Sequence, residues 1–219
     1  MEGSAASGHS QVDPALPQRP VSEPLPPLVL VHGLWDTPRL FEPLKRELAG
    51  RRQPLLIPHL PHRLGAVGLM DLALLLRSRV EAAFGGDQPI DLLGFSMGGV
   101  IIRLWIQLLG GHRRTRRFHC VGSPQRGTWA AQPVPSRIFR GIADMKRGSA
   151  LLRRLDADLT TLAPVDCRSY YCRTDVTVCP GWEARLPLGP ARCMPVFTHR
   201  QLIEHPLAIG ILSRELLRP

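Results

Sequence analysis

From Pro27 onward, short and wholly apolar runs alternate with longer stretches of helical period, and this alternation constrains the chain more than any other feature of its 219 residues. A run such as Leu28-Val29-Leu30-Val31 is apolar at every position, so as a strand it must be buried on both faces. A parallel sheet with helices on each side provides that burial. Residues 38–49 read as a helix, with Leu40, Phe41, Leu44 and Leu48 on one face and Pro38 in its first turn. Residues 54–57 then read as a strand, 67–84 as a long amphipathic helix and 89–93 as the next strand. Residues 97–109 are apolar nearly all round, through Val100, Ile101, Ile102, Leu104, Trp105, Ile106, Leu108 and Leu109, as expected of a buried central helix. Residues 118–121, 165–172 and 194–197 are the remaining strand candidates, and 206–217 a closing helix. A helix-prone stretch at about 127–162 breaks the rhythm. Residues 25–219 are thus expected to form one α/β domain with a helical insertion.

Residues 1–24 hold Pro14, Pro17, Pro20 and Pro24 among Ser, Gly and Gln without an apolar period, and are expected to be a disordered leader. The opening residues lack a basic segment followed by an apolar one, and no apolar run reaches the roughly 18 residues a membrane span needs. The expected location is the cytoplasm. The formal net charge is +10, which raises nucleic acid or an anionic membrane as a partner. The bias behind it argues otherwise: among 28 basic residues only Lys45 and Lys146 are lysine, a pattern of genome-wide codon usage rather than of a selected patch. The densest run, Arg113-Arg114-Thr115-Arg116-Arg117, is expected to be a solvated connecting loop, and nucleic acid is not an expected partner. Cys120, Cys167, Cys172, Cys179 and Cys193 form no C-x-x-C pair and have no His at zinc-finger spacing, so reduced thiols and no metal are expected.

The chemistry concentrates where the third predicted strand meets the buried helix, at Gly94-Phe95-Ser96-Met97-Gly98-Gly99. A serine on a sharp strand-to-helix turn needs small neighbours two positions away on each side, and Gly94 and Gly98 supply them. A glycine-rich helix start without chemistry, or a phosphate site at the helix N-terminus, is the alternative. After the first strand, Val31-His32-Gly33-Leu34 offers the Leu34 N–H to the same pocket, and Met97 offers a second, two donors for a developing oxyanion. His32 is expected to brace its loop rather than to act in catalysis.

These residues resemble the α/β-hydrolases, and among them the small bacterial lipases and esterases. The likeness spans about 28–217. Gly122-Ser123-Pro124-Gln125-Arg126-Gly127-Thr128 is similar to the family segment after the strand that follows the nucleophile helix, and Gly148-Ser149-Ala150-Leu151-Leu152 to the turn opening a short helix in its lid region. The resemblance implies an α/β-hydrolase fold, mostly parallel, with a small lid-like insertion, and a catalytic Ser, Asp and His in that order at successive strand ends. Ser96 is the implied nucleophile. Asp175, opening Asp175-Val176-Thr177-Val178-Cys179-Pro180, is the implied acid. Asp166 is its rival at the wrong end of the same strand, and Asp144, Asp156 and Asp158 are expected to be solvated helix charges. His199, after the last strand candidate, is the implied base; His205, just before Pro206, suits a capping role better.

The implied activity is hydrolysis of carboxylic esters, lipid or medium-to-long acyl, through an acyl-enzyme and without a cofactor. An acyltransferase or thioesterase on the same scaffold, and a non-catalytic interaction protein, are the alternatives. The expected partner is a small-molecule or lipid ester, with peripheral lipid contact open and the oligomeric state unspecified. The apolar side chains of the insertion either line an acyl pocket or complete the core. The short chain argues against a large mobile lid.

Overall fold

A computed structural model describes residues 24–219, so the leader expected over 1–24 falls almost wholly outside the described residues. The strands are β1 (Leu28–Val31), β2 (Leu55–Leu56), β3 (Ile90–Phe95), β4 (Thr115–Val121), β5 (Asp166–Tyr171) and β6 (Ala191–Cys193). They form one parallel sheet in the order β2-β1-β3-β4-β5-β6. The helices are α1 (Glu42–Leu48), α2 (Leu69–Phe84), α3 (Met97–Leu108), α4 (Arg140–Asp144), α5 (Ala150–Ala157), α6 (Gln201–Glu204) and α7 (Pro206–Leu216).

Strand alternation divides the core into two layers. Val29, Val31, Ile90, Leu92, Phe118 and Cys120 face α2, α3 and α5. Leu28, Leu30, Leu93, Phe95, Val121 and Tyr170 face α1, α6 and α7. The consecutive residues Met97–Gln107 are all buried, as the all-round apolar pattern of that helix requires. β1 connects outward to β2 on one side, whereas the chain returns to β3 on the other. The strand order therefore reverses between β1 and β3, and a crevice opens there beyond the carboxyl ends of the strands.

Three local readings change. The expected helix at 38–49 is a 3-10 turn, Pro38–Phe41, followed by α1. Pro43 has no N–H to bond back, so it starts a new helix instead of continuing the old one. The strand expected at 194–197 lies earlier, at Ala191–Cys193, and is exposed throughout. Met194 and Val196 are buried as a loop packed on the core, with Pro195 between them, which is what made that segment look like a strand. The basic run is not a solvated loop. Arg113 ends a 3-10 turn, Thr115 begins β4, and Arg114 and Thr115 are buried. Arg114 donates to the Gln88 carbonyl at 3.0 Å, and Arg116 to Asp91 at 2.7 and 3.0 Å.

The insertion is tied to the body of the fold. Arg103 of α3, wholly buried, donates to Gln107, to the Gln125 carbonyl at 3.1 Å and to Asp156 of α5 at 2.6 Å. Asp144 accepts the Leu69 N–H at 2.9 Å and so caps α2. Asp144 and Asp156 therefore hold elements together and are not merely solvated, although Asp156, like Asp158, is exposed.

Candidate active site

The turn at Gly94–Gly99 enters α3 through Ser96, whose φ of 53° and ψ of −127° are costly for a residue with a Cβ, on the order of 1–3 kcal/mol. Packing holds the strain in place. A Cβ on Gly98 would lie 2.2 Å from the Val31 carbonyl oxygen, and one on Gly94 2.5 Å from Gly99 Cα, so β1, β3 and α3 approach as closely as backbones can. The Ser96 N–H donates to the Val121 carbonyl at 2.9 Å. As the first residue of α3, Met97 has an N–H without an intrahelical acceptor.

Asp175 and His199 come together from the loops after β5 and β6. Asp175 is 3% exposed. Its Oδ1 accepts the Thr177 and Val178 N–H groups at 2.8 and 2.9 Å, an Asx-type turn that fixes the carboxylate. Its Oδ2 is left for the imidazole, whose Nδ1 donates to it at 2.6 Å. The opposite nitrogen, His199 Nε2, is buried and has no hydrogen-bond partner among the described residues. The ring packs on Phe95 with centroids 4.8 Å apart and lies against Gly122, where a Cβ would be 3.2 Å from Cε1.

Ser96 and His199 line one cavity of about 330 Å³, at the crevice between β1 and β3. Leu34 lines it too, as do Val134, Ile142 and Met145 of the insertion. Leu152 and Leu155 instead join the core, and Trp129 and Ile138 are exposed, so the insertion's apolar residues divide between pocket, core and surface.

Two other histidines weighed from the sequence, His32 and His205, have structural surroundings. His32 is fully buried, donates from Nδ1 to the Gly33 carbonyl at 3.0 Å and accepts the Leu60 N–H on Nε2 at 3.1 Å, which braces the β1 loop. Burial keeps its pKa below the usual value and hence the ring neutral, as that pair of bonds requires. His205 accepts the Leu207 N–H and caps α7. Asp166 lies at the start of β5 and pairs with Arg168, far along the strand from the carboxyl ends.

Three contributors escaped the sequence reading. Phe95 supports the imidazole ring. Thr128 holds the Asp175 turn, donating to the Thr177 carbonyl at 2.8 Å and accepting the Cys179 N–H at 2.9 Å. Asp36 and Arg200 form an ion pair at 2.6 Å in the cavity wall. The position of Phe95 beside Ser96 was a signal for the first, but no spacing in the sequence links residues 36 and 200.

A parallel sheet reversed between β1 and β3, with a strained serine at the turn after β3, defines the α/β-hydrolase architecture. Residues 28–209 match the model of the alpha/beta hydrolase family, and the chain belongs to that family. Comparison with curated protein sequences returns no match. Among solved structures, lipase BlEst2 of Bacillus licheniformis in its mature form superposes with a TM-score of 0.69 at 14% identity, over 89% of this chain and 93% of that one. Lipase B of Aspergillus fumigatus gives 0.72 at 15% identity, over 89% and 53%. RedJ, a thioesterase from the prodiginine biosynthetic pathway of Streptomyces coelicolor, gives 0.59 at 19% identity, over 95% and 90%. At these identities the likeness is one of fold. No helix among the described residues is long and apolar enough to cross a membrane.

Proposed function

We propose that this chain hydrolyses carboxylic esters through an acyl-enzyme on Ser96, with His199 as general base and then acid, and Asp175 as the carboxylate that orients it. One observation carries the reading: the His199 imidazole, whose Nδ1 donates to a buried carboxylate at 2.6 Å while its Nε2 is buried, without a partner among the described residues, in a cavity wall shared with Ser96. Asp175 fixes the tautomer that leaves the Nε2 lone pair free to take a proton, and stabilises the imidazolium once formed. Attack of Ser96 on an ester carbonyl develops an oxyanion for the Leu34 and Met97 amides. His199 then protonates the departing alcohol, and water, deprotonated by the same nitrogen, releases the acid.

The cavity favours a neutral, apolar acyl group. Its wall is largely apolar, and the one carboxylate among the described residues that line it, Asp36, is paired with Arg200. The ties from Arg103 to α5 and from Asp144 to α2 hold the insertion as a fixed wall, which supports turnover of dissolved esters without opening of a lid. The test is a series of p-nitrophenyl esters of increasing acyl length. A maximum in kcat/KM at medium length, with no jump in rate when substrate aggregates, is expected. Turnover confined to aggregated substrate would contradict the fixed wall, and no turnover of any ester would contradict the function. The same acyl-enzyme can form from a thioester, and RedJ, a thioesterase, shares the fold. Acyl thioesters of matched length cleaved with the higher kcat/KM would favour that reading.

A further inference from the structure

We infer that Arg200 is a positioning residue that clamps the loop carrying the oxyanion donor to the loop carrying the base, and that it neutralises a carboxylate which would otherwise oppose the reaction. The inference rests on the proposed hydrolase chemistry. Asp36 lies two residues beyond Leu34, and Arg200 directly follows His199. The Arg200 guanidinium donates from Nη1 to Asp36 Oδ1 at 2.6 Å and from Nε to Glu204 of α6 at 2.7 Å. One side chain thus joins the β1 loop, the His199 loop and α6. The pair also lines both the main cavity and a second one of about 250 Å³ beyond it, so it closes that end of the pocket.

Exposure makes the pair asymmetric. The Asp36 side chain is 7% exposed and that of Arg200 57%. Asp36 Oδ2 and Ser96 Cβ crowd the same point, since a Cβ on Gly33 would lie 3.0 Å from one and 2.8 Å from the other. A bare carboxylate there repels the negative charge that forms on the carbonyl oxygen in the transition state, in surroundings that screen it poorly. Arg200 offsets that charge while fixing the distance between donor and base. Both effects act on the transition state more than on substrate binding, so they belong in kcat.

The experiment measures kcat and KM on one p-nitrophenyl ester for the wild type, Arg200→Gln, Arg200→Lys, Asp36→Asn and the double variant Asp36→Asn/Arg200→Gln, each checked for folding by circular dichroism. Arg77→Gln, which breaks a surface pair of similar kind with Glu81 on α2, controls for loss of an arginine as such. Arg200→Gln is expected to lower kcat by about 10- to 100-fold with KM within about 3-fold, as a small misplacement of catalytic groups does. Arg200→Lys should recover part of the loss, and the double variant should exceed Arg200→Gln because the bare carboxylate is gone. A folded Arg200→Gln protein with wild-type kcat overturns the inference, as does a double variant no faster than the single one. A wild type that cleaves no ester overturns the hydrolase reading itself, which separates the two failures.

Discussion

The two ends of the sheet treat polar groups in opposite ways. At the amino end, Asp91 of β3 receives the guanidinium groups of Arg52 and Arg116, Arg52 also donates to the Pro26 carbonyl, and Arg117 donates to the Arg218 carbonyl at 2.6 Å. Single nitrogens there are left over, Arg52 Nε and Arg114 Nη2, but the charge of the buried carboxylate is fully compensated. At the carboxyl end a serine sits in strained backbone, and an imidazole nitrogen is buried with no partner among the described residues. At the amino end the buried charge is met within the fold. The other keeps strain and bonding capacity in reserve, as the proposed site, which would complete its bonds with a substrate, requires.

Substitutions at the two ends should therefore separate activity from stability. The largest effect is expected for Ser96→Ala, with ester turnover falling by about 10⁴-fold or more while the melting temperature holds. An equal fall in both would erase the distinction. Asp175→Asn should lower kcat by up to about 10⁴-fold, because the amide can turn its NH₂ to the imidazole and so favour the wrong tautomer. At the amino end, Asp91→Ala strands the buried Arg52 guanidinium and should cost about 3–5 kcal/mol in urea unfolding, with kcat/KM of the folded fraction unchanged.

A smaller effect concerns pH. His119 of β4 is buried against Tyr170, with Nδ1 3.2 Å from the phenol oxygen and Nε2 without a partner among the described residues, and burial pushes its pKa down to about 4 from an ordinary 6.5. The unfolded chain therefore binds this proton more readily than the folded one. Stability should fall as pH drops from about 6.5 to about 4, by at most roughly 3 kcal/mol at 1.36 kcal/mol per pKa unit, and level off below. His119→Phe should flatten that segment of a stability–pH curve; an unchanged slope would assign the acid sensitivity elsewhere.

Legibility followed the range of the interaction. β1, β3, α3 and the serine turn were readable because each is written in consecutive residues, as an apolar run or a pair of glycines around one serine. Asp175 and His199 were reachable because strand ends and the family resemblance both pointed to them. β6 is not legible, since Met194 and Val196 carry the apolar signal of a strand but are buried as a loop. The arginine run reads as a solvated loop because its partners, Asp91 and the Gln88 carbonyl, lie in another strand and another turn. The pair Asp36–Arg200 spans 164 positions, and that of Arg103 with Asp156 crosses from α3 to the insertion. Such pairs follow from the sheet order, not from any local pattern.

The most direct test of the account is to treat the full chain with a fluorophosphonate probe and read the product by intact mass and peptide mapping, beside Ser96→Ala. One adduct, mapped to Ser96 and absent from the variant, is the predicted result. A folded wild-type protein that takes up no probe, or takes it up equally in the variant, would contradict the assignment of Ser96 as an activated nucleophile.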